Sequence, residues 1–220
     1  MNGERVFVIV KKHCHEIQIL SSLQHPNVAP LLGSLANSDR YCLILPELRL
    51  KPRNSPGGRI EVALRYLHDV LQGLKYLHSQ GIFHGDVKPL NVLFSDQHRR
   101  WMLIDFDRAI HLDNGEKLCG STGTRGFMAP EVENDKSYDF KADMWSLGMT
   151  LEVQFGPCRT TGSYLWHVFS SIMAWCMTTD PSKRPSATAA MKELVASQEC
   201  RQVLEGNMRK KEGMRKRRFV

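Results

Sequence analysis

Long apolar runs are missing from this chain, and their absence excludes several classes of protein at once. No stretch is long enough to span a bilayer, and the apolar run nearest the N-terminus, Val6 to Val10, is too short for a secretory signal core. Cys-x-x-Cys is missing as well. Cys14, Cys42, Cys119, Cys158, Cys176 and Cys200 lie scattered, a spacing that suits neither a zinc site nor a disulfide framework. A reducing compartment, cytosol or nucleus, is therefore the expectation, with no membrane partner. No Gly-x-Gly-x-x-Gly occurs. Gly120, Gly123 and Gly126 recur at threes but read as turn residues rather than a phosphate cradle. Internal repeats are absent, and with 42% apolar and 24% charged residues nothing marks the bulk of the chain as disordered or fibrous. Its 220 residues suffice for one large domain or two small packed lobes.

An excess of charge is also missing from the body of the chain, although the net charge is +7. Arg209 to Val220 holds seven Lys/Arg and one Glu, which leaves about +1 for residues 1–208. The basicity belongs to a tail, read either as a solvated end or as a segment for nuclear import or an acidic surface. Nucleic acid is not the favoured partner, though the tail leaves it open.

The organisation follows from periodicity. Val6-Phe7-Val8-Ile9-Val10 reads as a strand ending at Lys11-Lys12. Residues 13–24 carry Ile17, Leu20 and Leu23 at helical spacing, and His25-Pro26-Asn27 ends that helix. Val28 to Leu32 and Tyr41 to Leu45 read as two further strands joined by a polar turn at Asn37-Ser38-Asp39. Lys51 to Gly58, rich in Pro, Gly and Asn, reads as a linker. Beyond it Ile60, Leu64, Leu67, Leu71, Leu74 and Leu77 form an amphipathic helix stopped by Gly81. Val92 to Phe94 and Trp101 to Ile104 read as a strand pair, and helices are expected over about 142–155, 164–178 and 186–204. His13-Cys14-His15 reads as a surface cluster, because donors two apart on a helix diverge.

The chemistry concentrates in His84-Gly85-Asp86-Val87-Lys88-Pro89-Leu90-Asn91, with Asp105-Phe106-Asp107 beginning 14 residues after Asn91. This puts an aspartate, a lysine and an asparagine on one short loop and a second aspartate on another. Phosphoryl transfer needs such a set: a carboxylate to orient a hydroxyl, a cation for the charge on the transferred group, and oxygen ligands for magnesium. Gly123-Thr124-Arg125-Gly126-Phe127-Met128-Ala129-Pro130-Glu131 follows in order.

Together these segments resemble the catalytic loop, metal loop and activation-segment end of eukaryotic protein kinases, over about residues 3–204. The resemblance implies an α+β, two-lobed protein-kinase-like fold: a truncated, β-rich N-lobe (about 1–48) and a mainly helical C-lobe (about 59–204), in a kinase domain over 1–208 followed by the tail, 209–220. It implies ATP and Mg2+ as cofactors and a protein substrate. Asp86 matches the catalytic aspartate and Lys88 the lysine that holds the γ-phosphate. Asn91 and Asp105 match the metal ligands. Lysine at 88 together with Thr124 resembles serine/threonine rather than tyrosine kinases. Leu45 would be the gatekeeper, the Pro46 carbonyl and Leu48 amide would face adenine, and Leu93 would pack beneath it. Glu131 and Arg184 resemble a buried pair tying the activation segment to the C-terminal helices, Asp143 resembles the support of the catalytic-loop backbone, and Leu20, His84 and Phe106 resemble parts of an internal hydrophobic column.

Several positions depart from the family. Asn2 to Val6 resembles the hairpin entering the lysine strand, so the glycine-rich loop is not in this chain. The ATP lysine is Lys11, with Ile9 roofing adenine, or Lys12, with Val10 there; strand alternation allows only one. Glu16 resembles its helix partner, but only four residues separate it from Lys11, two to three helical turns fewer than usual, so whether that pair closes is open. Gly85 stands where an arginine usually reads an activation-segment phosphate. Asp107 replaces the glycine of Asp-Phe-Gly, removing φ freedom and adding a carboxylate beside the metal site. The stretch from Asp143 to Arg184 is short, trimming a helix that often docks substrates. The leading expectation is a protein serine/threonine kinase. The rivals are a catalytically impaired pseudokinase serving as a binding module, and a fragment of a longer kinase.

Overall fold

The computed structural model describes residues 5–38, 40–52, 59–113, 115–156 and 163–206. Most of the linker expected over 51–58, the entering hairpin at Asn2 to Glu4 and the whole basic tail lie outside the described residues.

The small lobe is a three-stranded antiparallel sheet in the order β1-β3-β2, with β1 Val6–Lys11, β2 Gly33–Ala36 and β3 Tyr41–Pro46. β-Branched and aromatic side chains suit the pleated surface. The register pairs Val8 with Ile44 and Val10 with Cys42 across the β1–β3 ladder. One helix, α1 (His15–Ser21), packs Leu20 into the core while its Glu16 is also buried. It is shorter than the 13–24 expected. Ser22 and Leu23 leave it through amide bonds to the Ile19 and Leu20 carbonyls, three residues back, so Leu23 still reaches the core.

The large lobe is organised around α2 (Arg59–Ser79), whose Leu64, Leu67, Leu71, Leu74 and Leu77 are fully buried. Each such leucine contributes about 1.5–3 kcal/mol of burial. Gly81, at φ +72°, turns the chain out of the helix into β4 (Ile82–Phe83). The hairpin of β5 (Val92–Ser95) and β6 (Arg100–Leu103) lies against α2, and β4 pairs with β7 (Ile110–His111). α3 (Pro130–Glu133), α4 (Lys141–Phe155), α5 (Tyr164–Cys176) and α6 (Ala187–Ala196) follow. The expected 186–204 helix is interrupted at Ser197, whose hydroxyl accepts the Cys200 N–H and starts a new helical segment over 198–206. Among the described residues no helix is long and apolar enough to cross a membrane.

One expected strand is wrong in place and partner. Of Val28 to Leu32 only the last residue reaches the small sheet, through its N–H to the Ile44 carbonyl at 2.8 Å, and the second strand there is Gly33–Ala36. Instead Val28 makes a parallel bridge to Leu103 of β6, with the Ala29 N–H bonded to the Leu103 carbonyl and the Leu103 N–H to the Asn27 carbonyl, both at 2.9 Å. Asn27 adds a side-chain bond to the Trp101 carbonyl. Gly73 of α2 permits this approach, since a Cβ there would stand 3.0 Å from the Asn27 carbonyl and 2.8 Å from Leu103. Arg49 and Phe94 exchange a second pair of backbone bonds, so the small lobe is fastened to the β5–β6 hairpin at two places.

Candidate active site

The catalytic-loop run lies between β4 and the short 3-10 turn Pro89–Asn91, and its backbone is shaped by one buried carboxylate. Asp143 of α4 accepts the N–H groups of His84 and Gly85, each at 2.9 Å, and the Nε2 of His78 at 2.9 Å. His78, on the last turn of α2, was not singled out in the sequence. Its only sequence signal is a polar side chain on the last turn before Gly81. Gly85 sits at φ +77°, and a Cβ there would stand 2.8 Å from the Arg108 carbonyl. The position therefore favours glycine for backbone reasons, whatever the loss of a phosphate-reading arginine.

Asp86 carries the densest set of contacts. Lys88 Nζ donates to its Oδ2 at 2.6 Å and to Thr124 Oγ1 at 2.8 Å, and Thr124 donates to Asp86 Oδ1 at 2.6 Å. Asn91 Nδ2 donates to the Asp86 backbone carbonyl and to Oδ2. Burial opposes ionisation of Asp86, but the bonds from Lys88 and Thr124 outweigh it and hold the carboxyl below its ordinary range. The group is a carboxylate at neutral pH. Beside it a pocket lined by Gly85, Gly123, Thr124, Phe127, Met128 and Ser146 opens under the activation segment.

His84 is fully buried and its tautomer is fixed by its neighbours. Nδ1 accepts the Asp86 N–H at 3.3 Å, and Nε2 donates to the Ile104 carbonyl at 3.2 Å. An amide can only donate and a carbonyl only accept, so the ring is neutral. Burial pushes its pKa below the ordinary value despite the aspartates around it. Its ring also tilts against Phe106, which belongs to the main core together with Leu20.

The second cluster settles which lysine faces inward. Lys11 Nζ lies 2.9 Å from Glu16 Oε2, 3.1 Å from Asp105 Oδ1 and 2.6 Å from Asp107 Oδ2, whereas Lys12 is exposed. The four-residue connection is enough because α1 begins immediately at His15. Burial lowers the Lys11 pKa, but its three carboxylate neighbours more than reverse this and raise it. Burial also pushes the Glu16 carboxyl up, against the pull of Lys11. The other oxygen of Glu16 accepts the Phe106 N–H at 2.9 Å. Left-handed backbone occurs at Asp105 (φ +64°) and not at Asp107, so the aspartate in place of glycine strains nothing there. Its contact with Lys11 spans 96 residues and left no mark in the sequence.

Of the residues expected around adenine, Leu48 and Leu93 share a small apolar cluster with Ala29, Met102 and Ile104, while Leu45 is buried in the main core and Pro46 ends β3. Asn91 and Asp105 are tied through a backbone bond from the Ile104 N–H to the Asn91 carbonyl. His13-Cys14-His15 does not converge: His15 Nε2 turns to the Ala109 carbonyl at 2.6 Å.

Glu131 and Arg184 form the buried pair: Nη1 and Nη2 of Arg184 bond the two Glu131 oxygens at 2.6 and 3.0 Å. The guanidinium also lies over the Trp145 ring, 5.2 Å from its centroid. Removing one partner would strand a buried charge at a cost of about 3–5 kcal/mol.

Known proteins share this arrangement of segments. The protein kinase domain model matches residues 4–156. The chain is 36% identical over 157 residues to G protein-coupled receptor kinase 2 of Drosophila melanogaster, covering 68% of this chain and 21% of that protein. It is 35% identical over 170 residues to mitogen-activated protein kinase kinase kinase 1b of Physcomitrium patens, covering 72% and 22%, and 33% identical over 152 residues to Aurora kinase of Yarrowia lipolytica, covering 65% and 39%. The chain thus spans between about a fifth and two fifths of the length of these relatives. With the ordered loops, the α+β two-lobed fold and the family match in agreement, the chain belongs to the eukaryotic protein kinase family.

Proposed function

We propose that this chain transfers the γ-phosphoryl group of Mg-ATP to serine or threonine hydroxyls of a protein substrate. The observation that carries the reading is the Asp86 carboxylate, held ionised between Lys88 and Thr124 at 2.6 Å from each. Asp86 orients the acceptor hydroxyl and takes its proton. Lys88 neutralises charge gathering on the transferred group, and Thr124 fixes the carboxylate's rotation. Lys11, backed by Glu16, holds the nucleotide phosphates. Leu45 and Leu93, with the Pro46 carbonyl and Leu48 amide, flank the adenine. Lysine at 88 together with Thr124 supports serine/threonine over tyrosine acceptors.

The donor set fits magnesium. Asn91 gives its amide hydrogens to Asp86, so the oxygen it has to offer is its carbonyl, and Asp105 adds a carboxylate. Oxygen donors of this kind suit a hard cation, which when bound neutralises phosphate charge.

One observation favours a second reading, a pseudokinase serving as a binding module: Asp107 occupies the lysine that should meet the phosphates. The test is transfer of label from radioactive Mg-ATP to a generic basic protein. Label on serine and threonine, absent with Asp86→Asn, supports the kinase. No label from a wild-type chain that melts cooperatively sinks it. A magnesium-dependent thermal shift by ATP, lost in Asp105→Asn, reports the nucleotide site by itself; a ligand at 100 times its Kd adds about 2.7 kcal/mol.

A further inference from the structure

We propose that Asp107 is an internal competitor of the nucleotide, holding Lys11 in place of a phosphate until a phosphate displaces it. The inference rests on the kinase reading above and adds a residue that sets nucleotide affinity. A lysine ammonium has three N–H donors. Here it meets three carboxylates, those of Glu16, Asp105 and Asp107, within 3.1 Å. A phosphate oxygen can approach Lys11 only as one of them withdraws.

The three are not equally free to leave. Glu16 is 1% exposed, and its other oxygen is bonded to the Phe106 N–H, so moving it would strand a buried charge and an amide. Asp105 stands on left-handed backbone, and its side chain is one-third exposed. Asp107 is half exposed and makes no other hydrogen bond among the described residues. It can swing into water, which resolvates the carboxylate, and it is the shortest of the three contacts. Glycine, which the family has at this place, offers no such group. The competition is therefore specific to this chain's Asp-Phe-Asp sequence, and the non-left-handed backbone at 107 accepts either residue.

The experiment compares wild type with Asp107→Gly and Asp107→Asn in the full chain, Asn removing the charge without loosening the backbone. One readout needs no nucleotide: the rate at which a small acetylating ester modifies Lys11, followed by peptide mass spectrometry. The other is the ATP Kd by calorimetry, with magnesium and with EDTA. Both variants are expected to acetylate faster at Lys11 and to bind ATP about three- to tenfold more tightly in either condition, the scale of a partly exposed ion pair. ATP binding by a variant where wild type shows none also supports the competition. Unchanged acetylation overturns it, as does binding that is unchanged. Binding weakened only with magnesium overturns it too, because Asp107 is then a metal ligand. Faster acetylation with no ATP binding in any of the three proteins overturns the kinase reading and the competition with it.

Discussion

Gly85 and His84 are adjacent residues whose demands on the catalytic loop differ in kind, one of backbone and one of protonation. At φ +77° an alanine pays the left-handed penalty of about 1–2 kcal/mol and also presses on the Arg108 carbonyl. Gly85→Ala is therefore expected to lower stability by about 2 kcal/mol in urea denaturation. His84 makes a pH prediction. Burial depresses its pKa in the folded chain, so between the unfolded value of about 6.5 and the folded one the unfolded state binds more protons. Stability accordingly rises with pH through that window and falls as pH drops below about 6.5. His84→Gln, which keeps a donor and an acceptor, should flatten the slope of melting temperature against pH. An equal slope in both proteins would show that another group sets it. Asp86 acts in the same direction at lower pH: its depressed carboxyl stabilises above the ordinary carboxylate range, and that stability is lost as pH falls through the folded value.

Among the elements, α2 was the most legible in the sequence and also hides a defect. Tyr66, between Trp101 and Phe155, is fully buried, and its hydroxyl has no partner among the described residues. Tyr66→Phe is expected to leave stability unchanged or raise it by up to about 1 kcal/mol, since an unpaired buried hydroxyl costs more than its removal; a loss of more than that would reveal a partner. The α2 leucines were readable because a run of threes and fours over about five turns has one explanation. The strand at Val28 was misread because a five-residue apolar run shows neither which of its residues are buried, here Val28 and Ala29, nor what buries them. Here Asn27 and Gly73 decide the matter, by a side-chain bond and a missing Cβ that no periodicity records. The choice between Lys11 and Lys12 was open for a related reason: alternation fixes that one faces inward, and only the position of Glu16 says which. The candidate catalytic residues were legible as a group because Asp86, Lys88 and Asn91 are close in sequence as well as in space. Asp107 on Lys11 joins two distant segments and was not.

For the molecule as a whole, the small sheet is the weak point. Among the described residues β1 is an edge strand, and Val6, Val8 and Val10 are 46%, 58% and 51% exposed on it, with Leu35 of β2 at 66%. An unpaired apolar edge is a template for further strands. Val8→Lys is expected to reduce concentration-dependent light scattering while changing stability by no more than about 0.5 kcal/mol, the usual range for a surface substitution. Scattering that does not change would place the association elsewhere. The two fastenings of this lobe, at Ala29–Leu103 and Arg49–Phe94, also have a mechanical meaning. A line through both is a hinge pin: a swing of the sheet and α1 about it, parting Lys11 from Asp105, would keep both pairs of backbone bonds and break the His15–Ala109 and Glu16–Phe106 bonds instead. In deuterium exchange the amides of Ala29, Arg49, Phe94 and Leu103 should then be protected like those of α2, while the amides of β1 and β2, on the swinging arm, exchange sooner.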